Sequence, residues 1–150
     1  KESYDYVLID CPPSLAMLTI NALSAADEVL IPVQAQYLPA KGMTKLLRTV
    51  SKVQRKINNN LKIAGVAITL ADMKTNLAKD TIEMIHENFG HHFKVFNSVI
   101  PVAVKASEAT VSGKSVYSYA RDSKVAVAYD ELTQEVIHAN KEKRRSDLIR

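Results

Sequence analysis

The sequence predicts an α/β fold, a mostly parallel β-sheet with helices on both faces. Two observations carry this. Short apolar runs alternate along the chain with longer stretches whose apolar residues recur at helical spacing. The runs themselves, such as EVLIPV and IAGVAITL, are apolar nearly throughout. Strands buried on both faces read this way, and sheets covered on both faces are typically parallel.

The elements follow in order. Tyr6–Ile9 reads as a first strand ending on Asp10. Pro12 and Pro13 then fix φ and remove two N–H donors, so the turn after Asp10 is stiff. Leu15–Ala26 reads as a helix with Ser14 as its N-cap. Glu28–Val33 is a second strand. Met43, Leu46, Leu47, Val50, Val53 and Ile57 recur at helical spacing, and Asn58–Asn60 closes that helix. Ile63–Leu70 is a third strand. Ala78, Ile82, Ile85 and Phe89 mark the next helix, with Gly90 placed to cap its C-terminus. Lys94–Phe96 and Ser98–Ile100 predict a short fourth strand ending at Pro101. Val125, Ala128, Leu132, Val136 and Ile137 form the stripe of a last helix, and the tail Lys141–Arg150 is expected to fray. The chain has no internal repeat and no low-complexity segment.

The totals agree with a globular domain. A chain of 150 residues fits one domain, and a domain this size buries roughly 70% of its unfolded surface. Composition is 47% hydrophobic and 24% charged, with a net charge of +4. That mildly basic balance points only weakly to an anionic partner. Cys11 is the only cysteine, which excludes an internal disulfide and a cysteine-based metal cluster, and fits a reducing compartment. No apolar run approaches the ~18 residues of a membrane span. The opening residues KESYDY do not resemble a signal peptide, so the expected location is cytoplasmic.

In parallel α/β sheets ligands bind beyond the carboxyl ends of the strands. Asp10, Val33–Tyr37, Leu70–Lys74 and Pro101–Lys105 fall at those ends, so one crevice is expected to collect an acid, polar side chains and two lysines. A carboxylate at a strand tip can orient Mg²⁺, accept a phosphoryl group or cap the following turn. Taken alone, Asp10 leaves all three open. Covered sheets of this kind normally have more strands than these, and the first one begins after only five residues. Further sequence is expected upstream.

The stretch YDYVLIDCPPSLAMLTINALSAADEVLIPVQAQYLPAKGMTKLL resembles the ParA/Soj family of deviant Walker ATPases, relatives of MinD that partition plasmids and chromosomes. The resemblance continues through GVAITLADMKTNL and through VFNSVIPVAVKASEATVSGKSVYSYARDSKVAVAYDELTQEVI. It implies a P-loop NTPase-like fold that is incomplete here, because the family's glycine-rich Walker A loop and the acidic motif after its next strand are absent. Residues 1–140 would be the C-terminal part of a ParA-like ATPase domain and 141–150 a basic tail.

By this resemblance Asp10 matches the Walker B aspartate that supports Mg²⁺ indirectly. Thr69, Leu70 and Asp72, with Pro101 and Val102, match the loops flanking the adenine of ATP or ADP. Lys74 and Lys105 match basic residues that bind DNA without sequence preference, where the family usually has Arg; Lys keeps the charge and loses the bidentate fork. The implied assembly is a nucleotide-dependent homodimer, associated with the nucleoid and stimulated by a ParB-like or Spo0J-like partner. Without the P-loop, this chain alone is expected to turn over little or no ATP. Some positions depart from the family. IPVA stands for the usual IPRN, and Gln36 and Lys41 stand where acids are usual, which bears on dimer contacts and stimulated hydrolysis.

Other candidates are weaker. Gly113-Lys114-Ser115 imitates the end of a phosphate loop, but Glu108 stands where its first glycine belongs and no strand leads into it. His86, His91, His92 and His138 do not form a ligand set, and Ser14 lacks a nucleophile-elbow context. The basic tail has too small an apolar pair, Leu148 and Ile149, for membrane anchoring. Two rival readings remain: a receiver-like domain phosphorylated on Asp10, and an interaction module that kept the fold without a phosphate loop.

Overall fold

The computed structural model describes residues 3–12 and 17–148, with side chains outside 37–41 and 142–148. Its elements run α1 (Met17–Ala25), β1 (Glu28–Gln34), α2 (Tyr37–Lys56), β2 (Lys62–Ala71), α3 (Asn76–Phe89), β3 (Val95–Pro101), α4 (Val104–Val111), α5 (Val116–Ala120) and α6 (Lys124–Leu148). The three strands form one parallel sheet in the order β1-β2-β3.

The apolar strands bury both faces, as their composition predicts. On β2, Val66 and Ile68 join Ile31 and Val33 of β1, Met43 of α2 and Ile85 of α3. Ala67 points the other way, into a cluster with Phe96 and Ile100 of β3 and Val125, Ala128 and Leu132 of α6. Alternation along the strand thus divides the core between α2/α3 on one face and α6 on the other. Each fully buried Val, Ile or Phe contributes about 1.5–3 kcal/mol. A third cluster, Leu23, Val50, Val53 and Leu61, seats α1 on α2. Asn58 does more than close α2. Its Nδ2 donates to the carbonyls of Leu23 (3.1 Å) and Ala26 (2.8 Å), so it serves carbonyls that α1 leaves unpaired at its end.

Gly65 sets the approach of β3. The β1–β2 register shifts beside it, between Val29 and Leu30. Its φ is +158°, and a Cβ there would stand 2.7 Å from both the Lys94 carbonyl and the Phe96 ring. Glu135 of α6 fastens the helix to the same strand: its carboxylate accepts the backbone N–H groups of Asn97 (3.0 Å) and Ser98 (2.7 Å) and the Ser98 hydroxyl. Partial burial pushes the Glu135 carboxyl up. The hydrogen bonds from Ser98 and Asn97 and the charge of Lys94 outweigh it and hold the group below the usual carboxylate range.

The structure corrects the sequence reading at several points. Tyr6–Ile9 is not a strand: residues 6–12 are irregular, and Tyr6, Val7, Leu8 and Ile9 are all exposed. A strand requires a neighbour for its backbone N–H and C=O groups, and among the described residues this segment pairs with none. The fourth predicted strand is one continuous β3. Gly90 sits at the end of α3 with φ −62°, so it caps by position without the left-handed turn expected of glycine. Helix α2 begins at Tyr37, ahead of its apolar stripe, and α6 runs through to Leu148 instead of fraying at Lys141. Lys, Glu and Arg are good helix formers and carry the helix past its buried stripe. The helices α4 and α5, of 8 and 5 residues, are too short to leave a periodic signal. Ser14, the expected N-cap of α1, lies outside the described residues.

Candidate functional site

The carboxyl edge of the sheet collects most of the predicted site residues. Ala71 and Pro101 are register partners, and the Val102 N–H donates to the Ala71 carbonyl (3.1 Å). This bond holds the ends of β2 and β3 together, bringing Thr69, Leu70 and Asp72 beside Pro101 and Val102. Leu70 has φ +50°, a left-handed conformation that a leucine rarely adopts. Such strain, of order 1–3 kcal/mol, collects at binding sites in folds generally. Leu70, Met73 and Val102 leave apolar surface exposed along this edge.

The loop after β2 is closed by its own polar side chains. Asp72 Oδ1 accepts from the Lys74 N–H (3.1 Å). The Thr75 hydroxyl donates to the Asp72 carbonyl (2.9 Å) and accepts from the Ala78 N–H (3.2 Å), capping α3. Lys74 therefore stands on a short, fixed turn with its side chain exposed. Among the described residues it has no ion-pair partner.

Lys105, in the first turn of α4, is differently placed. Its Nζ lies 3.0 Å from Glu108 Oε2 and 5.6 Å from the centre of the Tyr119 ring. The Tyr119 hydroxyl donates to the same Glu108 oxygen (3.2 Å). The hydrogen bond to Glu108, with its charge, raises the Lys105 pKa above the usual value, and the Lys105 hydrogen bond holds the Glu108 carboxyl below its own. The sequence reading passed over both partners. The spacing K-x-x-E places Glu108 on the same helix face as Lys105 and was a usable signal. Tyr119 follows Glu108 by 11 residues, on α5, and nothing local announces the contact.

Asp10 stands apart from these groups. It is exposed and lines a groove of about 1890 Å³ between the segment Tyr4–Pro12 and β1, together with Gln34. Ligand pockets run to about 300–1,000 Å³, so this is an open gap along β1 rather than a fitted small-molecule site. Neither Thr69, Leu70 and Asp72 nor Pro101 and Val102 line it. The single crevice expected from sequence is thus divided: the ends of β2 and β3 come together, and Asp10 lies with β1.

Mg²⁺ requires near-octahedral oxygen coordination, and among the described residues no group of three or more His, Cys, Asp or Glu side chains could hold a metal. The described residues do not by themselves fit the ion, and Asp10 offers one carboxylate. Gly113-Lys114-Ser115 has another role. Gly113 has φ +62° and donates to the Thr110 carbonyl while Lys114 donates to that of Ala109, a Schellman ending for α4. The Ser115 side chain then caps α5. Among the described residues, no helix is long and apolar enough to cross a membrane.

The chain is similar to known proteins in sequence and in fold. A protein-family model described as an AAA domain matches residues 1–63. The chromosome-partitioning ATPase Soj of Treponema pallidum is 44% identical over 137 residues, which cover 91% of this chain and 53% of that protein. The sporulation initiation inhibitor protein Soj of Bacillus subtilis is 46% identical over 136 residues, 91% of this chain and 53% of that protein. The chromosome partitioning protein ParA of Caulobacter vibrioides is 40% identical over 140 residues, 93% and 52% of the two chains. This chain therefore spans about half the length of the curated relatives it matches.

Among solved structures, cobyrinic acid a,c-diamide synthase from Mycobacterium smegmatis with bound ADP and magnesium superposes with a TM-score of 0.73 at 32% identity, covering 93% of this chain and 49% of that one. The cell division ATPase MinD of Pyrococcus furiosus superposes with a TM-score of 0.70 at 22% identity, over 92% and 54% of the two chains, and supports the fold alone. These neighbours are P-loop NTPases, and the three parallel strands flanked by helices are a portion of that architecture. Over about nine-tenths of its length the chain is thus a homologue of Soj and ParA proteins, at 40–46% identity.

Proposed function

We propose that this chain is the C-terminal part of a ParA-type partition ATPase, with 1–140 in the ATPase domain and 141–150 a basic tail. The intact protein would bind ATP with Mg²⁺, dimerise around the nucleotides, coat duplex DNA without sequence preference, and release on hydrolysis stimulated by a ParB-like or Spo0J-like partner. It would act in the cytoplasm on the nucleoid. The observation that carries this reading is the 40–46% identity to Soj and ParA proteins along nearly the whole chain.

Each residue has a physical task. Asp10 supports the metal electrostatically as one acid among groups supplied from the rest of the protein. Thr69, Leu70 and Asp72 with Pro101 and Val102 flank the adenine, where the exposed apolar surface of Leu70 and Val102 suits a flat base. Lys74 and Lys105, at the carboxyl ends of adjacent strands, neutralise DNA phosphates. This term depends on counterion release and falls steeply with salt.

The test is duplex binding by the intact protein with ATP and Mg²⁺ across a salt series. Replacing Lys74 or Lys105 by Gln should weaken binding equally on unrelated sequences and flatten the log–log salt slope, by up to about 0.9 for each phosphate no longer neutralised. Native binding by the doubly substituted protein would refute the assignment.

A further inference from the structure

The two lysines at the carboxyl edge differ in one respect. Lys74 is unpaired among the described residues, whereas Lys105 is held by two groups at once. Glu108 takes its ammonium at 3.0 Å. Tyr119 supports the pair from both sides, with its ring 5.6 Å from Lys105 Nζ and its hydroxyl on Glu108 Oε2. Because α5 delivers Tyr119 to a pair built on α4, the arrangement is more than a helix-surface ion pair.

We propose that Glu108 and Tyr119 form a clamp that withholds Lys105 from anionic partners, so that duplex DNA must compete with the Glu108 carboxylate for this ammonium, whereas Lys74 has no ion-pair partner to displace among the described residues. The inference rests on the DNA-binding reading of Lys105 and adds to it a residue that restrains affinity.

Two effects of Glu108 oppose each other, and their sizes decide the sign. The pair orients Lys105, which helps a phosphate find it; an exposed pair of this spacing accounts for at most about twofold. The carboxylate also repels that phosphate. A like charge about 5 Å away in a water-like dielectric weakens binding about fourfold at low salt. Repulsion wins, and removing the charge of Glu108 should tighten binding. Pairing also leaves Lys105 and Glu108 together with no net charge to set against the phosphate. With Glu108 neutralised, one further phosphate is fully neutralised and the salt dependence steepens.

The experiment titrates a labelled duplex with the intact protein, ATP and Mg²⁺, from about 50 to about 200 mM salt. Glu108→Gln should bind about threefold more tightly at the lowest salt, with a log–log slope steeper by up to about 0.9. Tyr119→Phe keeps the ring and leaves the Glu108 charge in place, and should change affinity far less than Glu108→Gln. In a Lys105→Gln background the gain from Glu108→Gln should fall by at least half. An unchanged or weakened Glu108→Gln protein overturns the clamp, and so does a gain that persists in full without Lys105, since Glu108 would then act only as one more surface charge. If neither the native protein nor Glu108→Gln binds duplex, the DNA-binding reading itself fails and takes the clamp with it.

Discussion

Two apolar runs in this chain have similar composition and opposite fates. IAGVAITL lies within β2, between two strands, with Val66 and Ile68 fully buried. The run Tyr6–Ile9 reads as a strand by the same criteria, yet Leu8 is 93% exposed. The difference is in the neighbours rather than in the residues. β2 has a hydrogen-bonded partner on each edge and helices over both faces, whereas the described structure gives the first segment neither. An apolar run reports the capacity to be a buried strand; the edge that receives it decides whether it becomes one.

Substitutions in the two regions should separate sharply. The largest effect is expected at Phe96, fully buried between β2 and α6. Phe96→Ala should cost about 3–5 kcal/mol in urea or thermal unfolding. A loss under about 1 kcal/mol would mean that the α6 face is loosely packed.

A smaller effect is expected where α6 is fastened to β3. Glu135→Gln should cost about 1 kcal/mol near neutral pH, since the hydrogen bonds are charge-assisted but partly exposed to solvent. The folded carboxyl is held below its unfolded value of about 4.3, so its contribution is complete above that pH and is lost as pH falls through the folded value. The gap between the native and Glu135→Gln proteins should therefore close in acid. A gap that stays constant down to about pH 2 would show that the charge is not what matters.

The smallest effect is expected in the first segment. In the 150-residue chain, Leu8→Ser should change stability by no more than about 0.5 kcal/mol, because the side chain already faces water. A cost of several kcal/mol would show that this run is packed after all and would remove the contrast with β2.

Much of the fold was legible because it depends on local pattern. β1, β2, α3 and the stripe of α6 follow from apolar runs and helical spacing, and a parallel sheet covered on both faces follows from strands that do not alternate. What escaped the sequence depends on contacts between distant residues. Asn58 reaches back to α1, Glu135 reaches across to β3, and Tyr119 reaches Glu108 from another helix. Gly65 is demanded by the close approach of Phe96, which becomes visible only once β3 is in place. At the site, the carboxyl-edge rule placed Leu70–Lys74 beside Pro101–Lys105 from sequence alone. It did not foresee that Asp10 would lie apart, since that position depends on how the first segment meets β1.

The most direct measurement is ATP hydrolysis by the intact protein carrying Asp10→Ala. Asp10 is exposed and free of the core, so the substitution should leave the unfolding midpoint of this chain unchanged while turnover falls by on the order of 10²-fold or more. Hydrolysis at the native rate with Asp10 replaced would contradict the assignment of this segment to the nucleotide site, and with it the functional reading of the chain.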